Sequence, residues 1–156
     1  MFRNLLSRLF SEDEPSPQPL GGADGELAVA ALLIRVARAD DRYSEGEQHR
    51  IEAILARRCG LTHAQAGEQR AAAEMIEAEA PDTVRLTRCI KERVALEDRI
   101  GVIAALWEVA LSDGTRAPEE EAAVRLAAGL LGVNDVDSAL ARRQAAEELG
   151  LEQARP

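Results

Sequence analysis

Two stretches of this sequence repeat each other, and the repeat decides the fold. Residues 37–51 read ARADDRYSEGEQHRI, and residues 110–124 read ALSDGTRAPEEEAAV. Aligned without a gap, they share the same or a similar residue at four pairs of positions: Ala37 and Ala110, Asp40 and Asp113, Glu47 and Glu120, Ile51 and Val124. In each copy an apolar helix ends, an Asp and a short loop follow, and the next helix has a Glu in its first turn. Because neither helix-loop-helix unit alone can cover its apolar stripe, we expect two pseudo-symmetric units packed on each other.

The composition favours helices over strands. Of the 156 residues, 46% are hydrophobic but only 3% are aromatic, so the core must consist mainly of Ala, Leu, Ile and Val. No stretch alternates apolar and polar residues as a strand would. The sequence therefore predicts an all-α domain of about seven helices over residues 25–150.

Capping residues predict where these helices begin and end. Asp24 and Asp82 are expected to cap the first and fourth helices, and Pro118 suits the first turn of the sixth. Gly60 and Gly132 are expected to end the second and sixth helices. Two further pairs have the spacing of capping boxes and are expected to open the second and third helices: Ser44 with Glu47, and Thr62 with Gln65.

The apolar patterns predict which helices lie in the core. Residues 27–39 are apolar on nearly every face, as a central helix would be. The fifth helix has one apolar stripe, on which Trp107 is expected to be a core residue. Two cysteines are too few for a disulfide scaffold, so we expect Cys59 and Cys89 to be reduced, buried thiols.

The repeated loops provide a candidate metal site. If the loops lie side by side, five carboxylates come together: Asp40, Asp41, Glu47, Asp113 and Glu120. Hard cations such as calcium bind six to eight oxygens, so calcium is the ion we expect there. Neither loop has the EF-hand spacing. The alternative is that these acids are caps and turns alone, since a capping box explains Glu47 without an ion.

The order of several short motifs resembles the TerB-like family. The motifs are A-D-[DG] with a Glu seven residues after the Asp, then LTRCI at 86–90, LWEVA at 106–110, PEEE at 118–121 and LLGV at 130–133. That family includes the tellurite-resistance protein TerB and a domain of some membrane-anchored DnaJ-type co-chaperones. The resemblance covers about residues 25–145 and implies an all-helical fold with an acidic cluster near the repeat axis, proposed in that family to hold a metal ion. The chain departs from the family at Asp41, where Gly is more frequent, and at Ala117, where an acid or Ser would cap the helix.

The first 24 residues form two segments of different character. In residues 1–10, one helical face is predicted to carry Phe2, Leu5, Leu6, Leu9 and Phe10. Residues 11–24 are rich in Pro, Gly and acids and are predicted to be a flexible linker. The apolar face is expected to make weak, reversible membrane contact, or else to pack on the protein's own body or on a partner.

The charge pattern limits the partners. A net charge of −9 argues against nucleic acid as a partner. The fourth helix has a local basic run that either docks an acidic protein partner or pairs with neighbouring acids: Arg85, Arg88, Lys91 and Arg93.

These features favour a non-enzymatic binding module. We expect a cytoplasmic, bacterial protein, peripheral to the inner membrane if the N-terminal segment binds lipid, that acts in a stress-response or envelope-associated assembly. Two alternatives remain: an interaction domain without a metal, and a metal-assisted hydrolase. Neither His49 nor His63 lies beside a candidate nucleophile in the sequence, and no catalytic motif is present.

Overall fold

The structure, a computed structural model, describes residues 22–80, 82–112 and 117–150. Within these ranges the chain forms seven helices and no strand, which confirms the all-α prediction. The helices are α1 (Gly22–Ala37), α2 (Glu45–Cys59), α3 (His63–Glu79), α4 (Thr83–Arg93), α5 (Leu96–Leu111), α6 (Pro118–Leu130) and α7 (Asp135–Glu148).

The two central helices are α1 and α5, the first helix of each repeat. They contact each other, and each also packs against the helix that follows its repeat, α1 against α3 and α5 against α7. The contacts between repeats are reciprocal, since α1 meets α6 and α5 meets α2. This pairing follows from the sequence repeat and brings the second helices, α2 and α6, against the same central pair.

The predicted capping boxes are present. At the start of α2, Ser44 Oγ accepts a hydrogen bond from Glu47 N at 3.1 Å, and Glu47 Oε1 accepts one from Ser44 N at 3.1 Å. Thr62 and Gln65 make the same pair of bonds at the start of α3, at 3.2 and 2.9 Å. Gly60 ends α2 with a φ of 64°, a left-handed conformation that glycine adopts without a steric penalty.

The first helix begins earlier than the sequence predicted. It starts at Gly22, so Asp24 lies in its first turn and not at the cap position. An acid in the first turn still interacts favourably with the helix dipole. Residues 22–24, which were assigned to the linker, are therefore helical, and the rest of the two N-terminal segments lies outside the described residues.

The burial of its residues confirms that the first helix is central. The fifth helix is buried in the same way. Every residue from Ala28 to Ile34 is at most 1% exposed. The prediction of a single apolar stripe on α5 was too narrow, because all residues from Val102 to Ala110 are buried. The sequence pattern hides this because a charged residue, Glu108, interrupts the apolar run. Among the described helices, none combines the length and the apolar character needed to cross a membrane.

Candidate metal centre

Glu47 and Glu120 occupy equivalent places in the two repeats. Each is the third residue of its helix, Glu47 in α2 and Glu120 in α6. Their exposed fractions are only 7% and 2%, although first-turn acids of helices usually face water. A side-chain hydrogen bond with Glu120 is among the influences on the pKa of Glu47, so the two carboxyl groups meet between the repeats.

The surroundings of Glu47 disfavour its negative charge. Burial raises the pKa of this carboxyl, and the charge of Asp40 raises it further, while hydrogen bonds from Ser44 and from Glu120 act in the opposite direction. Oε1 is occupied by the capping box. Oε2 is buried and has no hydrogen-bond partner within the described part of the chain. A buried carboxylate oxygen of this kind is stabilised by a bound cation.

The first loop places its two acids differently. Asp40 Oδ1 accepts a hydrogen bond from Arg42 N at 3.0 Å, which shapes the turn after α1. Asp41 is exposed and has a φ of 62°, in the left-handed region. This conformation explains why glycine suits the position, and the second copy of the repeat has Gly114 there.

The second loop contributes Asp113, which lies outside the described residues. In the ranges that are described, no three His, Cys, Asp or Glu side chains are grouped so that they could hold one ion. Of the predicted ligands, the structure brings Glu47 and Glu120 together. Asp40 is close enough for its charge to act on Glu47 but does not join them in a three-residue group, and Asp41 faces the solvent.

A hydrogen-bonded network holds the first loop on α3. Tyr43 Oη donates to Glu74 Oε2 at 2.6 Å, and Arg70 donates to the same oxygen at 2.6 Å. The Arg38 guanidinium lies 5.1 Å from the centre of the Tyr43 ring. Sequence analysis missed this network because Tyr43 lies 31 positions before Glu74, although Arg70 and Glu74 themselves have the i,i+4 spacing of a helical ion pair.

Two further buried acids were not predicted. Glu108 of α5 accepts hydrogen bonds from Arg57 at 2.7 Å and from Arg50 at 3.4 Å, which ties α5 to α2. Glu121 lies 3.5 Å from the guanidinium of Arg142, which is also stacked over the Trp107 ring. The one available signal was a charged residue within an apolar run, as Glu108 is in LWEVA.

The basic run on α4 does not form one exposed face. Arg88 and Lys91 are exposed, and Arg85 is partly buried. Arg93 is largely buried, and its Nη1 donates to Cys89 O at 3.0 Å. Its stem lies so close to α1 that a Cβ added at Gly25 would be 3.2 Å from Arg93 Cβ. Arg93 therefore supports α1, which the sequence could not show because helical periodicity does not reveal which helix packs alongside.

Trp107, Cys89 and Cys59 were predicted to be buried, and this holds for all but Cys59. Trp107 is 2% exposed, and its Nε1 donates to Ser138 Oγ at 3.2 Å, which confirms it as a core residue. Cys89 is buried, and burial raises its pKa to about 11. Cys59 is only partly buried, contrary to prediction, because it lies on the wall of a pocket beside Glu26.

Comparison with known proteins gives one match. A family model described as tellurite resistance protein TerB matches residues 26–143, which is most of the chain and includes both repeats. Neither the curated proteins nor the solved structures gave a significant match.

Proposed function

The chain belongs to the TerB family, and from that premise we propose that it is a helical binding domain that holds a divalent cation, calcium, between its two repeats. Glu47 and Glu120 would provide one carboxylate from each repeat. Asp40 and Asp113 of the loops would complete the acidic ligands, with backbone carbonyls and water. Bound there, the cation supplies positive charge to carboxylates that burial has deprived of water.

The observation that carries this proposal is the burial of two repeat-related carboxyl groups against each other. Like charges in such a place oppose folding unless a proton or a cation compensates them. The pKa of Glu47 is already raised by burial, and its Oε2 has no hydrogen-bond partner among the described residues. These are the properties expected of a ligand for a hard cation.

Capping alone does not account for the carboxylate. At the start of α3 the same box is made by Gln65, whose amide oxygen accepts the bond from the Thr62 backbone at 2.9 Å. A neutral glutamine would make the same capping bond at the start of α2 without a buried charge, and it would lose only the interaction of an acid with the helix dipole. The choice of glutamate in both repeats therefore supports a role beyond the cap.

The consequence of binding follows from the position of the site. An ion held by α2 and α6 would bridge the repeats and favour the arrangement in which their first turns are close. We propose that this arrangement regulates a partner protein in the cytoplasm. The family's description supports a stress response such as tellurite resistance as the setting. Within the basic run of α4, Arg88 and Lys91 are exposed, and we propose that they bind an acidic partner.

Binding is better supported than catalysis. Both histidines lie exposed on helices, His49 on α2 and His63 at the start of α3. Burial raises the pKa of both thiols, which disfavours the nucleophilic thiolate. We therefore propose no catalytic role for the acidic centre.

Isothermal titration of the chelator-treated protein with calcium tests the proposal, followed by magnesium, manganese and zinc. We expect saturable binding of about one ion per chain, lost in Glu47→Gln and in Glu120→Gln. Glu45→Gln is the matched control, because Glu45 is an exposed acid in the same first turn. Absence of binding with every ion, or binding that survives both substitutions, would overturn the proposal and favour an interaction domain whose acids are caps.

A further inference from the structure

A pocket of about 620 Å³ lies at the opposite end of α2 from the acidic centre. The start of α1, the end of α2 and the start of α3 form its walls. Glu47 and Cys59 are twelve positions apart on α2, which is about 18 Å along a helix. The pocket is thus separate from the proposed metal site.

The walls of this α1–α3 pocket suit an apolar ligand with a basic polar face. Leu27 and Leu61, both partly buried, line it and pack on the core. Glu26, Glu68 and Arg58 also line it, and Arg58 is paired with Glu26 at 3.1 Å. Glu68 is exposed and adds a negative charge. A volume of this size accommodates several apolar side chains.

The chain itself contains a segment of matching chemistry. By sequence, residues 2–10 carry five apolar side chains at helical spacing, with Arg3 and Arg8 on the other face. An apolar face of this kind is unfavourable in water unless another surface covers it. The two arginines of the segment complement Glu26 and Glu68, the acids that line the pocket.

The geometry of the connection favours this occupant over an external one. The chain enters α1 at Gly22, about 6 Å along the helix from Glu26 on the pocket wall. Residues 11–21 reach as far as about 36–40 Å when extended, so residues 2–10 can return to the pocket. A segment tethered in this way has an effective concentration on the order of millimolar, which a free ligand rarely reaches.

We propose that residues 2–10 dock their apolar face in the α1–α3 pocket. Docking covers the apolar side chains and places Arg3 and Arg8 near Glu26 and Glu68. It also makes the segment unavailable to membranes or other proteins while it is docked. The interaction does not depend on the metal site, so either proposal can fail without the other.

Cys59 provides a native reporter, because it lines the pocket while Cys89 is buried elsewhere in the core. The rate at which N-ethylmaleimide alkylates each cysteine is measured in the full chain, in Leu6→Asp and in Ser7→Asp. Both substitutions add one negative charge, but only Leu6 is on the apolar face. We expect Leu6→Asp to raise the Cys59 rate about threefold or more, as release of a segment docked two thirds of the time would. Ser7→Asp, which adds its charge on the face of Arg3 and Arg8, should raise the rate less than Leu6→Asp does.

Equal Cys59 rates in the wild type and Leu6→Asp would overturn the proposal. Unchanged alkylation of Cys89 shows that a variant keeps its fold. Partition onto anionic phosphatidylserine vesicles is measured in parallel. Vesicle binding that Leu6→Asp abolishes, with no change at Cys59, would assign the segment to the membrane and also overturn docking.

Discussion

At the scale of single residues, Asp41 shows how the two loops differ. Among the described residues it is the only one other than glycine with a positive φ. A side chain in this conformation is strained by about 1–2 kcal/mol, less for Asp than for other residues. We expect Asp41→Gly to be neutral or slightly stabilising and Asp41→Val to destabilise by about 1–2 kcal/mol.

Chemical denaturation of these two variants measures the difference directly. The neighbouring Arg42→Gly is the control for added backbone freedom, and it should cost about 0.5–1 kcal/mol. If Asp41→Val has the same free energy of unfolding as the wild type, the loop does not hold this conformation in solution.

The carboxyl group of Glu47 makes the free energy of unfolding depend on pH. Its pKa in the folded protein is raised above the ordinary value of 4.5, so between these two values the folded state binds more protons than the unfolded state. Its contribution to the free energy of unfolding therefore falls as pH rises. In chelator, Glu47→Gln should be more stable than the wild type at pH 7, by about 2–4 °C in melting temperature for each kcal/mol.

This advantage should shrink as the pH falls through the raised pKa of folded Glu47, and it should vanish below 4.5, where the carboxyl is protonated in both states. Thermal melts at several pH values measure it, with Glu45→Gln as the control. With saturating calcium the order should reverse, because the ion stabilises only the wild type. An advantage of the variant that is independent of pH would contradict the raised pKa.

Individual residues could be predicted where the repeat specified them. Glu47 and Glu120 were singled out because they occupy aligned positions of the two repeats. Their role as metal ligands stays a prediction. The partly buried thiol of Cys59 and the buried stem of Arg93 could not be predicted. Both depend on which helix lies alongside, and one-dimensional periodicity does not contain that information.

At the scale of elements, the caps determined the helix boundaries. Ser44, Thr62 and Asp82 were predicted as caps, and each accepts the expected backbone hydrogen bond. The start of α1 was misplaced because no side chain marks it. Side chains that can bond the start of a helix are visible in the sequence, and Gly21 and Gly22 offer none at the start of α1.

The two capping boxes allow a matched comparison. Ser44→Ala and Thr62→Ala should each reduce the free energy of unfolding by about 1 kcal/mol. Only Ser44→Ala should also weaken calcium binding, because Ser44 hydrogen-bonds the Glu47 carboxylate that we propose as a ligand. Urea denaturation and calcium titration of both variants provide the test. Equal calcium affinities in the two variants would show that the capping box of α2 does not contribute to calcium binding.

At the scale of the whole molecule, the two repeats share one core. The side chains of α1 are buried by helices of both repeats and by α4, and Glu108 ties α5 to Arg50 and Arg57 of α2. Without the other repeat, each repeat would expose part of its apolar core to water. The sequence repeat predicted this dependence but not the ionic contact across the interface.

We therefore expect fragments 1–81 and 82–156 to lack cooperative unfolding when separate. An equimolar mixture should recover helical circular dichroism, since each fragment covers the apolar face of the other. Thermal melts of each fragment and of the mixture measure this. A cooperative transition in either fragment alone would show that the repeats are independent folding units.

The structure of the calcium-loaded protein tests the central claim most directly. We predict one ion between α2 and α6, with an oxygen of Glu47 and an oxygen of Glu120 each about 2.3–2.6 Å from it. An ion held by one repeat alone, or carboxyl groups of Glu47 and Glu120 that share a proton with no ion between them at saturating calcium, would contradict the claim.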